Sequence, residues 1–390
     1  MRIFWISEVE PDPNSGAGGT ELALVEALRE LGHVVDCVWA PDLPRRIGHG
    51  NLHYLLELPR TYSRAMRRAV AAKAYDVVTF NLGQAYRGVL RLRRDGFGGA
   101  IVGRSHGLDD RLHAVMDRWR DRFEEPGSLG LRGLASRALR DLLDGQLARA
   151  IAAADGYVVS NSLDAAYLRA THGLEESRVL TLPQSFPAAF TECPPAPLTP
   201  ARLDRLLHVA GWHWAKGPHA VARAAATLMD EDPALSLTWV CRGEDHDRVR
   251  ALFDASLHGR LDLRSWMTQA ELRACMDECG VFLYPPVFDG FGKVFLEAMA
   301  RGLCVVGTRS GGMVDLVVDG ETGWRCDFDA PEQLADKVRW LRAHPERAAE
   351  MSRAAADVAS QYTWERCART LEGFFEARVA AASMAGRRSR

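Results

Sequence analysis

Short apolar stretches alternate with amphipathic segments along the first half of the chain. The apolar stretches predict buried strands, and the segments between them predict helices, the first over Thr20–Leu31. Apolar, β-branched strands that are separated by helices indicate a parallel sheet covered on both faces. The predicted strands of this half are Ile3–Ser7, His33–Trp39, Asp76–Asn81, Ala100–Arg104 and Gly156–Ser160.

A proline-rich stretch separates this half from a second half with the same alternation. Residues Thr191–Pro200 contain four prolines, which exclude a helix or a central strand, so we interpret 191–200 as an interdomain linker. We expect two α/β domains, 1–190 and 201–362, and a C-terminal helix over 363–390 that packs on the N-terminal domain and ends in a basic tail. The predicted strands of the second domain are Leu206–Ala210, Ser236–Cys241, Val281–Tyr284 and Cys304–Gly307.

Length and charge narrow the class of protein. A chain of 390 residues is too long for one ordinary core, and a net charge of −2 gives no global field that would attract nucleic acid, so no nucleic-acid partner is predicted. No apolar run reaches the roughly 18 residues that cross a bilayer, and acidic residues follow the first strand at once, which argues against a signal peptide. The expected location is cytoplasmic. The eight cysteines are scattered, without a CxxC pair, and are expected to be reduced thiols outside any zinc site.

Two turns of the first half follow strands, where ligands gather in open α/β sheets. Ser15–Glu21 is a glycine-rich turn that begins a helix, and a helix N-terminus favours an anion. Its spacing is not GxGxxG, which argues against a dehydrogenase, and a plain flexible turn is an equal alternative. His106, in the segment Arg104–Gly107, could donate to or accept from a substrate, or could be a solvent-exposed turn histidine.

Two turns of the second half carry further candidate chemistry. Lys216 precedes Gly217 at a predicted helix start, where it could meet a phosphate or only water. In Phe288–Gly302, Asp289 stands before a turn of glycines, and Glu297 lies about two helical turns further on. Two carboxylates thus frame a row of free backbone N–H groups. This arrangement suits an elongated ligand with a charged middle and hydroxyls at both ends, such as a nucleotide sugar.

The same stretch resembles the E-x7-E signature of the retaining glycosyltransferases of family 4. The glycine-rich turn, His106–Gly107 and Lys216–Gly217 also fall at family positions, so the resemblance covers nearly the whole chain. It implies an α/β fold of the GT-B type, with two Rossmann-like domains whose parallel sheets face each other across a cleft. The matching segments of the second half are Asp289–Gly292, Glu297–Ala300, Gly302, Cys304–Val306, Gly311–Gly312, Asp315, Gly320–Gly323 and Tyr362–Glu365.

The resemblance implies a role for each matching residue. Glu297 would bind the ribose hydroxyls of the donor, and Asp289 would hold hydroxyls of the transferred sugar. Lys216 would neutralise the diphosphate leaving group, and His106 would contact the transferred sugar near the reacting centre. His106, Lys216 and Asp289 are therefore the expected catalytic residues. The other expected donor-binding residues are Gly18, Gly19, Arg242, Trp266, Met267, Gly290, Phe291, Gly292, Lys293 and Val294.

Two positions depart from the family pattern. Asp289 stands where glutamate is commoner, and its side chain is shorter by one methylene. Gly211 stands five residues before Lys216, where the family has an arginine. One cation for the diphosphate is therefore missing, and Arg242 or Arg309 could substitute for it.

The function that the resemblance implies is transfer of a sugar, with retention, from a nucleotide-diphosphate sugar to a sugar, lipid-linked or small-molecule acceptor. Lys216 and the helix that begins near Lys293 would stabilise the leaving diphosphate, so neither a metal nor another cofactor is expected. One alternative is a non-catalytic nucleotide-sugar-binding component of a polysaccharide assembly complex. Another is a GT-B sugar-nucleotide epimerase.

The window Leu43–Lys73 mixes basic and apolar residues. It holds seven arginines and lysines against a single acid, Glu57. Such a mixture can dock on anionic lipid, bind an anionic acceptor, or form a solvated helix face. A peripheral membrane contact through this window is therefore one prediction, beside the cytoplasmic location.

Overall fold

A computed structural model of the chain describes residues 1–123 and 131–388. The chain forms two compact units, one made of Met1–Gln184 with Trp364–Arg390 and the other of Ser185–Thr363. The last two residues of the predicted basic tail lie outside the described residues. The change of unit at Gln184–Ser185 precedes the predicted linker, so residues 191–200 lie within the second unit.

The first unit is built on a parallel sheet. Its described strands are β1 (Arg2–Ile6), β2 (Val34–Val38), β3 (Val77–Asn81), β4 (Ala100–Arg104), β5 (Gly156–Val159) and β6 (Val179–Thr181). Its described helices are α1 (Gly16–Glu30), α2 (Gly50–Leu52), α3 (Leu58–Ala72), α4 (Tyr86–Arg94), α5 (Asp109–Phe123), α6 (Leu131–Ala153) and α7 (Ser162–His172), with a short π-helix at His53–Glu57. The strand order is β2-β1-β3-β4-β5-β6, and every described pair is parallel.

The second unit repeats this architecture. Its strands are β7 (Arg205–Val209), β8 (Ser236–Val240), β9 (Leu261–Arg264), β10 (Val281–Tyr284), β11 (Cys304–Thr308) and β12 (Gly323–Cys326), in the order β12-β11-β10-β7-β8-β9. Its helices are α8 (Pro200–Leu203), α9 (Pro218–Glu231), α10 (His246–Arg250), α11 (Gln269–Glu278), α12 (Lys293–Ala300), α13 (Met313–Leu316), α14 (Pro331–Ala343) and α15 (Pro345–Ser360). The last helix of the chain, α16 (Trp364–Arg388), belongs to the first unit.

The sequence pattern predicts the strands whose side chains are buried in the sheets. Every residue of the central strands β3, β4, β10 and β11 is buried, and apolar clusters of buried side chains lie on both faces of each sheet. Two parallel six-stranded sheets covered by helices confirm the prediction of two Rossmann-like domains. The three strands that the pattern did not predict, β6, β9 and β12, are edge strands.

Two arginines hold the proline-rich segment against the second unit. Prolines lack a backbone N–H, so this segment can be fixed mainly through its carbonyl oxygens. The fully buried Arg301 donates to the carbonyl oxygens of Cys193 at 2.7 Å and Pro194 at 3.0 Å, and its charge is balanced by Asp277 at 2.8 Å. Arg202 donates to the carbonyl of Pro197 at 3.1 Å. These bonds explain why a stretch with a linker's composition is part of a folded unit.

The C-terminal helix packs against α1 and the first sheet. Leu371 and Phe375 of α16 lie in one buried cluster with Leu24 and Leu28 of α1. Glu372 also contacts His33, with 2.9 Å between Oε1 and Nε2. The chain therefore returns to its first unit after completing the second. None of the described helices is both long and apolar enough to cross a membrane.

Candidate active site

The loops that carry Lys216 and Asp289 meet at the point where the strand order of the second sheet reverses. From β7 the chain proceeds outward through β8 and β9, and it then returns to β10 on the other side of β7. In open α/β sheets, ligands bind outside the carboxyl ends of the strands at such a switch point. Lys216 follows β7 and Asp289 follows β10, so both lie where this topology places a ligand.

Asp289 is held by two partners of its own unit. Lys216 Nζ lies 2.6 Å from Asp289 Oδ2, and the hydroxyl of Tyr284 donates to the same oxygen. Burial raises the pKa of Tyr284 well above its usual value, and the charge of Asp289 adds to the effect, so the phenol stays protonated and donates. No described residue donates to Oδ1 of Asp289, which leaves that oxygen for a ligand.

Close backbone packing brings the two loops together. The backbone N–H of Val287 donates to the carbonyl of Ala215 at 2.8 Å. Gly217 has a φ of 72°, in the left-handed region that favours glycine, and a Cβ there would lie 2.3 Å from the carbonyl oxygen of Pro285. A side chain at residue 217 would therefore push the lysine loop away from Asp289.

The turn before α12 is shaped by contacts with the loop after β11. Gly292, the N-cap of α12, has a φ of 83°, and the N–H of Gly312 donates to the carbonyl of Phe291 at 2.8 Å. The N–H of Asp289 donates to Ser310 Oγ at 3.0 Å. The N–H groups of the first helical turn have no acceptor within the helix, and the helix dipole makes this end positive. Lys293 and Val294 thus begin an anion-favouring terminus beside the Lys216–Asp289 pair.

Glu297 is the unusual carboxylate of this unit. It lies in the second turn of α12 and is 6% exposed. Among the described residues, none donates a hydrogen bond to its carboxylate. Burial raises the pKa of Glu297 to about 7, although the nearby charge of Lys293 lowers it. A buried carboxylate without donors destabilises the folded protein, and side chains of this kind are typical of functional sites.

Three predicted donor-binding residues lie apart from this pair within the second unit. Arg242, after β8, is 64% exposed and is 3.6 Å from Glu244. Trp266, after β9, is 52% exposed, and Met267 packs on a buried cluster. A Cβ at Gly211 would lie 3.9 Å from the Trp266 ring, so an indole stands beside the position where the family has an arginine. No described ion pair links Arg242 to Asp289, and its predicted role stays a prediction.

Arg309, the other candidate for the missing cation, follows β11. It is paired with Asp319, with 3.5 Å between Nη2 and Oδ2, and its side chain is largely exposed. Its position therefore does not distinguish it from Arg242 as a second phosphate ligand.

His106 of the first unit is bound to a buried carboxylate. It follows β4, and its Nε2 lies 2.8 Å from Oε1 of Glu21 in α1. Trp5 Nε1 donates to Glu21 Oε2 at 2.8 Å, and Asn81 Nδ2 donates to Oε1 at 3.2 Å. Burial alone would raise the pKa of Glu21, but the bonds from His106 and Trp5 and the charges of His106 and Arg104 lower it to about 2.

Gly18 and Gly19 pack against the loop that precedes them. A Cβ at Gly18 would lie 2.0 Å from the carbonyl oxygen of Glu10, and one at Gly19 would lie 2.6 Å from that of Pro13. Ser15 caps the helix by accepting from the N–H of Gly19 at 3.3 Å. The glycines are therefore required by local packing, and their contact with donor phosphates stays a prediction.

Sequence reasoning missed three residues of these sites. Tyr284 is the last residue of a predicted strand, and Ser310 belongs to none of the predicted motifs. Glu21 is the last residue of the glycine-rich motif, but only the glycines of that motif are predicted to bind the donor. Both Glu21 and Glu297 lie in the second turn of a helix that begins within or directly after a glycine-rich segment, and this shared position is the signal that the sequence offers.

The arrangement of the carboxylates does not decide whether the protein needs a metal. The chain contains three Asp-x-Asp triplets, beginning at Asp230, Asp245 and Asp327, a motif that metal-dependent glycosyltransferases use. Within the described ranges, no three His, Cys, Asp or Glu side chains are grouped as metal ligands. Each triplet has at least one aspartate paired with an arginine, in the pairs Asp232–Arg342, Asp245–Arg248, Asp247–Arg250 and Asp329–Arg223.

The basic window 43–73 presents its charges on the surface. Leu52, which precedes the π-helix, and Leu56, which lies within it, are also exposed. The only acid of the window, Glu57, accepts from the N–H of Ile47 at 2.9 Å and contacts His53 at 2.9 Å, and these bonds lower its pKa to about 2. Lys73 is paired with Asp36 at 2.9 Å. The window thus combines exposed cations with exposed leucines, as the predicted membrane contact requires.

The fold is shared with glycosyltransferases of known structure. Sucrose-phosphate synthase from Thermosynechococcus elongatus superposes with a TM-score of 0.74 at 19% identity, over 98% of this chain and 100% of that one. Anabaena HepE in complex with UDP-glucose superposes with a TM-score of 0.64 at 17% identity, over 96% and 100% of the two chains. The GT-B fold that the resemblance implied is thereby confirmed.

Residues 195–358 match the family model of glycosyl transferases group 1. A D-inositol 3-phosphate glycosyltransferase from Pseudarthrobacter chlorophenolicus is 30% identical over 56% of this chain and 55% of that protein. A sucrose synthase from Acidithiobacillus caldus is 32% identical over 45% of this chain and 24% of that protein. The chain thus spans about half or less of the length of these curated relatives. The resemblance to group 1 glycosyltransferases is confirmed for the second unit.

Proposed function

We propose that this protein is a glycosyltransferase that moves a sugar from a nucleoside diphosphate sugar to an acceptor hydroxyl. The observation that carries the proposal is Glu297, a buried carboxylate to which no described residue donates. A donor's ribose offers two adjacent hydroxyls, which can supply the hydrogen bonds that the carboxylate lacks. Binding would then relieve a destabilising feature of the ligand-free protein.

The neighbours of Glu297 suit the rest of such a donor. The N-terminus of α12 and Lys216 form a positive region beside it, which favours a diphosphate. Asp289 keeps one oxygen available for a sugar hydroxyl, while Tyr284 and Lys216 hold the other. When a diphosphate binds, Lys216 can turn from Asp289 towards the phosphate, so its charge meets the leaving group.

In the proposed reaction, the bond between the anomeric carbon and the diphosphate oxygen breaks and a bond to the acceptor oxygen forms. The electron pair leaves with the diphosphate, which Lys216 and the helix terminus stabilise. The leaving phosphate takes the acceptor's proton on the same face of the sugar. This course gives retention, which we propose from the family resemblance, and it needs no nucleophile from the protein.

The experiment is a transfer assay with the purified protein. UDP-glucose is the first donor to test, because the similar HepE was solved with it, and donors with other bases and sugars follow. We expect one donor to raise the midpoint of thermal unfolding and to release its nucleoside diphosphate when an acceptor is present. An NMR spectrum of the product's anomeric proton then shows whether the configuration of the anomeric carbon is retained. Binding without turnover over a broad acceptor panel would favour the non-catalytic alternative, and no binding at all would contradict the proposal.

A peripheral membrane contact through residues 43–73 extends the proposal to a lipid-linked acceptor. The exposed cations and the exposed Leu52 and Leu56 support it. If residues 43–73 contact a membrane, the protein should bind anionic vesicles, and this binding should weaken in high salt. Equal binding to neutral vesicles would contradict the electrostatic part.

A further inference from the structure

A small cavity lies inside the first unit, at the carboxyl ends of β4, β5 and β6. Its volume is about 10 Å³, close to the space that one water-sized molecule needs. Residues at the ends of these three strands line it, together with residues of α1 and α16. The chain leaves the first unit after Gln184 and returns to it at Trp364, and both of these residues line the cavity.

Arg104 is the only charged side chain among the described residues that line this cavity. It is 7% exposed, and its Nε and Nη1 have no hydrogen-bond partner among the described residues. None of the described ion pairs includes it. A buried charge without a partner destabilises the folded protein, so this guanidinium favours a ligand of the opposite charge.

The carboxylate that acts on Arg104 does not complete its hydrogen bonds. Burial lowers the pKa of Arg104, and the charge of Glu21 opposes this effect. Glu21 does not line the cavity, and its oxygens accept from other side chains. The guanidinium packs over the Trp5 ring, with 4.3 Å between Cζ and the ring centroid. The N–H groups of Arg104 therefore remain available to an occupant of the cavity.

Two serine hydroxyls at the cavity each keep a proton to donate. Ser105 Oγ accepts from the N–H of Gly107 at 3.1 Å, and Ser160 Oγ accepts from Gln184 Nε2 at 3.2 Å. No described residue accepts from either hydroxyl. Hydroxyl donors beside a guanidinium, with no carboxylate among the lining residues, form an environment that suits an anion.

We propose that this cavity binds one monovalent anion of halide size, such as chloride, through the guanidinium of Arg104 and the hydroxyls of Ser105 and Ser160. The volume leaves no room for the oxygen atoms of a sulfate or phosphate ion. The site is separate from the proposed donor site and does not depend on the proposed function. Because Trp364 and Cys367 of α16 also line the cavity, the anion stabilises the place where the chain rejoins its first unit.

The first experiment compares thermal unfolding in sodium chloride and in sodium gluconate at equal ionic strength. Gluconate is too large for the cavity, so the comparison removes the general effect of ionic strength. We expect chloride at ten times its dissociation constant to raise the midpoint of unfolding by about 3 to 6 °C, because it binds only the folded chain. Equal midpoints in the two salts at every concentration would overturn the proposal, since the occupant of the cavity would then be water.

Two matched variants locate the effect of chloride. Arg104→Met removes the charge at the cavity, whereas Arg369→Met removes an exposed arginine of α16 that is paired with Glu365 at 2.9 Å. We expect the effect of chloride to vanish in Arg104→Met and to persist in Arg369→Met. Arg104→Met should fold, because it removes the cost of an unpaired buried charge. An effect of wild-type size in Arg104→Met, or loss of the effect in both variants, would contradict the assignment.

Crystals of the wild-type protein grown with bromide give a test that needs no variant. Bromide scatters X-rays anomalously near its absorption edge, so an anomalous difference map shows where it is bound. We expect a peak in contact with Nε and Nη1 of Arg104. A map without a peak at Arg104 would overturn the proposal even if Arg104→Met does not fold.

Discussion

The two units bury one glutamate each at a similar place, in the second turn of a helix that begins within or directly after a glycine-rich segment. Glu21 accepts from three side chains, and its pKa falls to about 2. Glu297 accepts from no described residue, and its pKa rises to about 7. The folds around the two carboxylates are alike, and the difference lies in the hydrogen-bond donors and the positive charges that surround Glu21.

The difference between Glu21 and Glu297 illustrates two roles that a buried carboxylate can have in a protein. A carboxylate whose hydrogen bonds are completed by the protein, such as Glu21, is stabilised in its charged form. A carboxylate left without donors can be completed only from outside, and for this reason we propose Glu297 as a ligand contact. The comparison therefore supports the proposal that the second unit binds the donor.

The largest effect is expected from the cation that accompanies Glu297. Lys216→Ala should lower kcat by about 10²- to 10³-fold, because a preorganised charge at the leaving group is lost. The fold should persist, since Asp289 keeps its bond from Tyr284. Steady-state kinetics with the donor found by thermal shift measure the loss.

Arg242→Ala is the matched control for this variant. Its side chain is largely exposed and already paired with Glu244, so we expect a change of less than about tenfold. A loss in Arg242→Ala that equals the loss in Lys216→Ala would identify Arg242 as the cation that replaces the missing arginine. Near-normal turnover in Lys216→Ala would remove the lysine from the site.

A smaller effect is expected on the free energy of unfolding. Its dependence on pH has opposite signs for the two carboxylates. The folded pKa of Glu297 lies above its ordinary value of 4.5, so its contribution is fully present below pH 4.5 and is lost as the pH rises through 7, by roughly 3 kcal/mol. The folded pKa of Glu21 lies below 4.5, so its contribution is present above pH 4.5 and is lost as the pH falls towards 2.

Urea unfolding of the two glutamine variants checks these signs. Glu297→Gln should be more stable than wild type at pH 8, and this advantage should shrink towards pH 5. Glu21→Gln should be less stable than wild type at pH 7, and its deficit should shrink as the pH falls below 4.5. The exposed Glu321→Gln should follow wild type at every pH. Variants that shift in the same direction with pH would contradict the comparison.

The sequence was sufficient for the fold because the central strands are continuous apolar runs buried on both faces. The strands β9 and β12 escaped prediction because each is an edge strand, where a polar side chain such as Asp262 or Arg325 meets solvent. The proline-rich segment resembles a linker in composition, and only the contacts of Arg202 and Arg301 show that it belongs to the second unit. Composition describes the segment itself, whereas its placement depends on residues far along the chain.

The positions of Lys216, Asp289 and Glu297 followed from a motif, but their environment did not. The sequence places Tyr284 at the end of a strand, and only the fold brings its hydroxyl to Asp289. The partners of Glu21 come from β1, β3 and the turn after β4, so no local pattern could reveal them. Roles that depend on donors from distant strands require the folded chain.

The central claim is that Glu297 binds the ribose hydroxyls of a nucleotide-sugar donor. Isothermal titration of wild type and Glu297→Gln with the preferred nucleoside diphosphate, and with its 2′,3′-dideoxy analogue, tests it as a double-mutant cycle. Removing the hydroxyls should weaken binding to wild type by about 10- to 100-fold, since hydrogen bonds to a charged group are lost. The same removal should change binding to Glu297→Gln by far less. An equal loss in both proteins would contradict the claim.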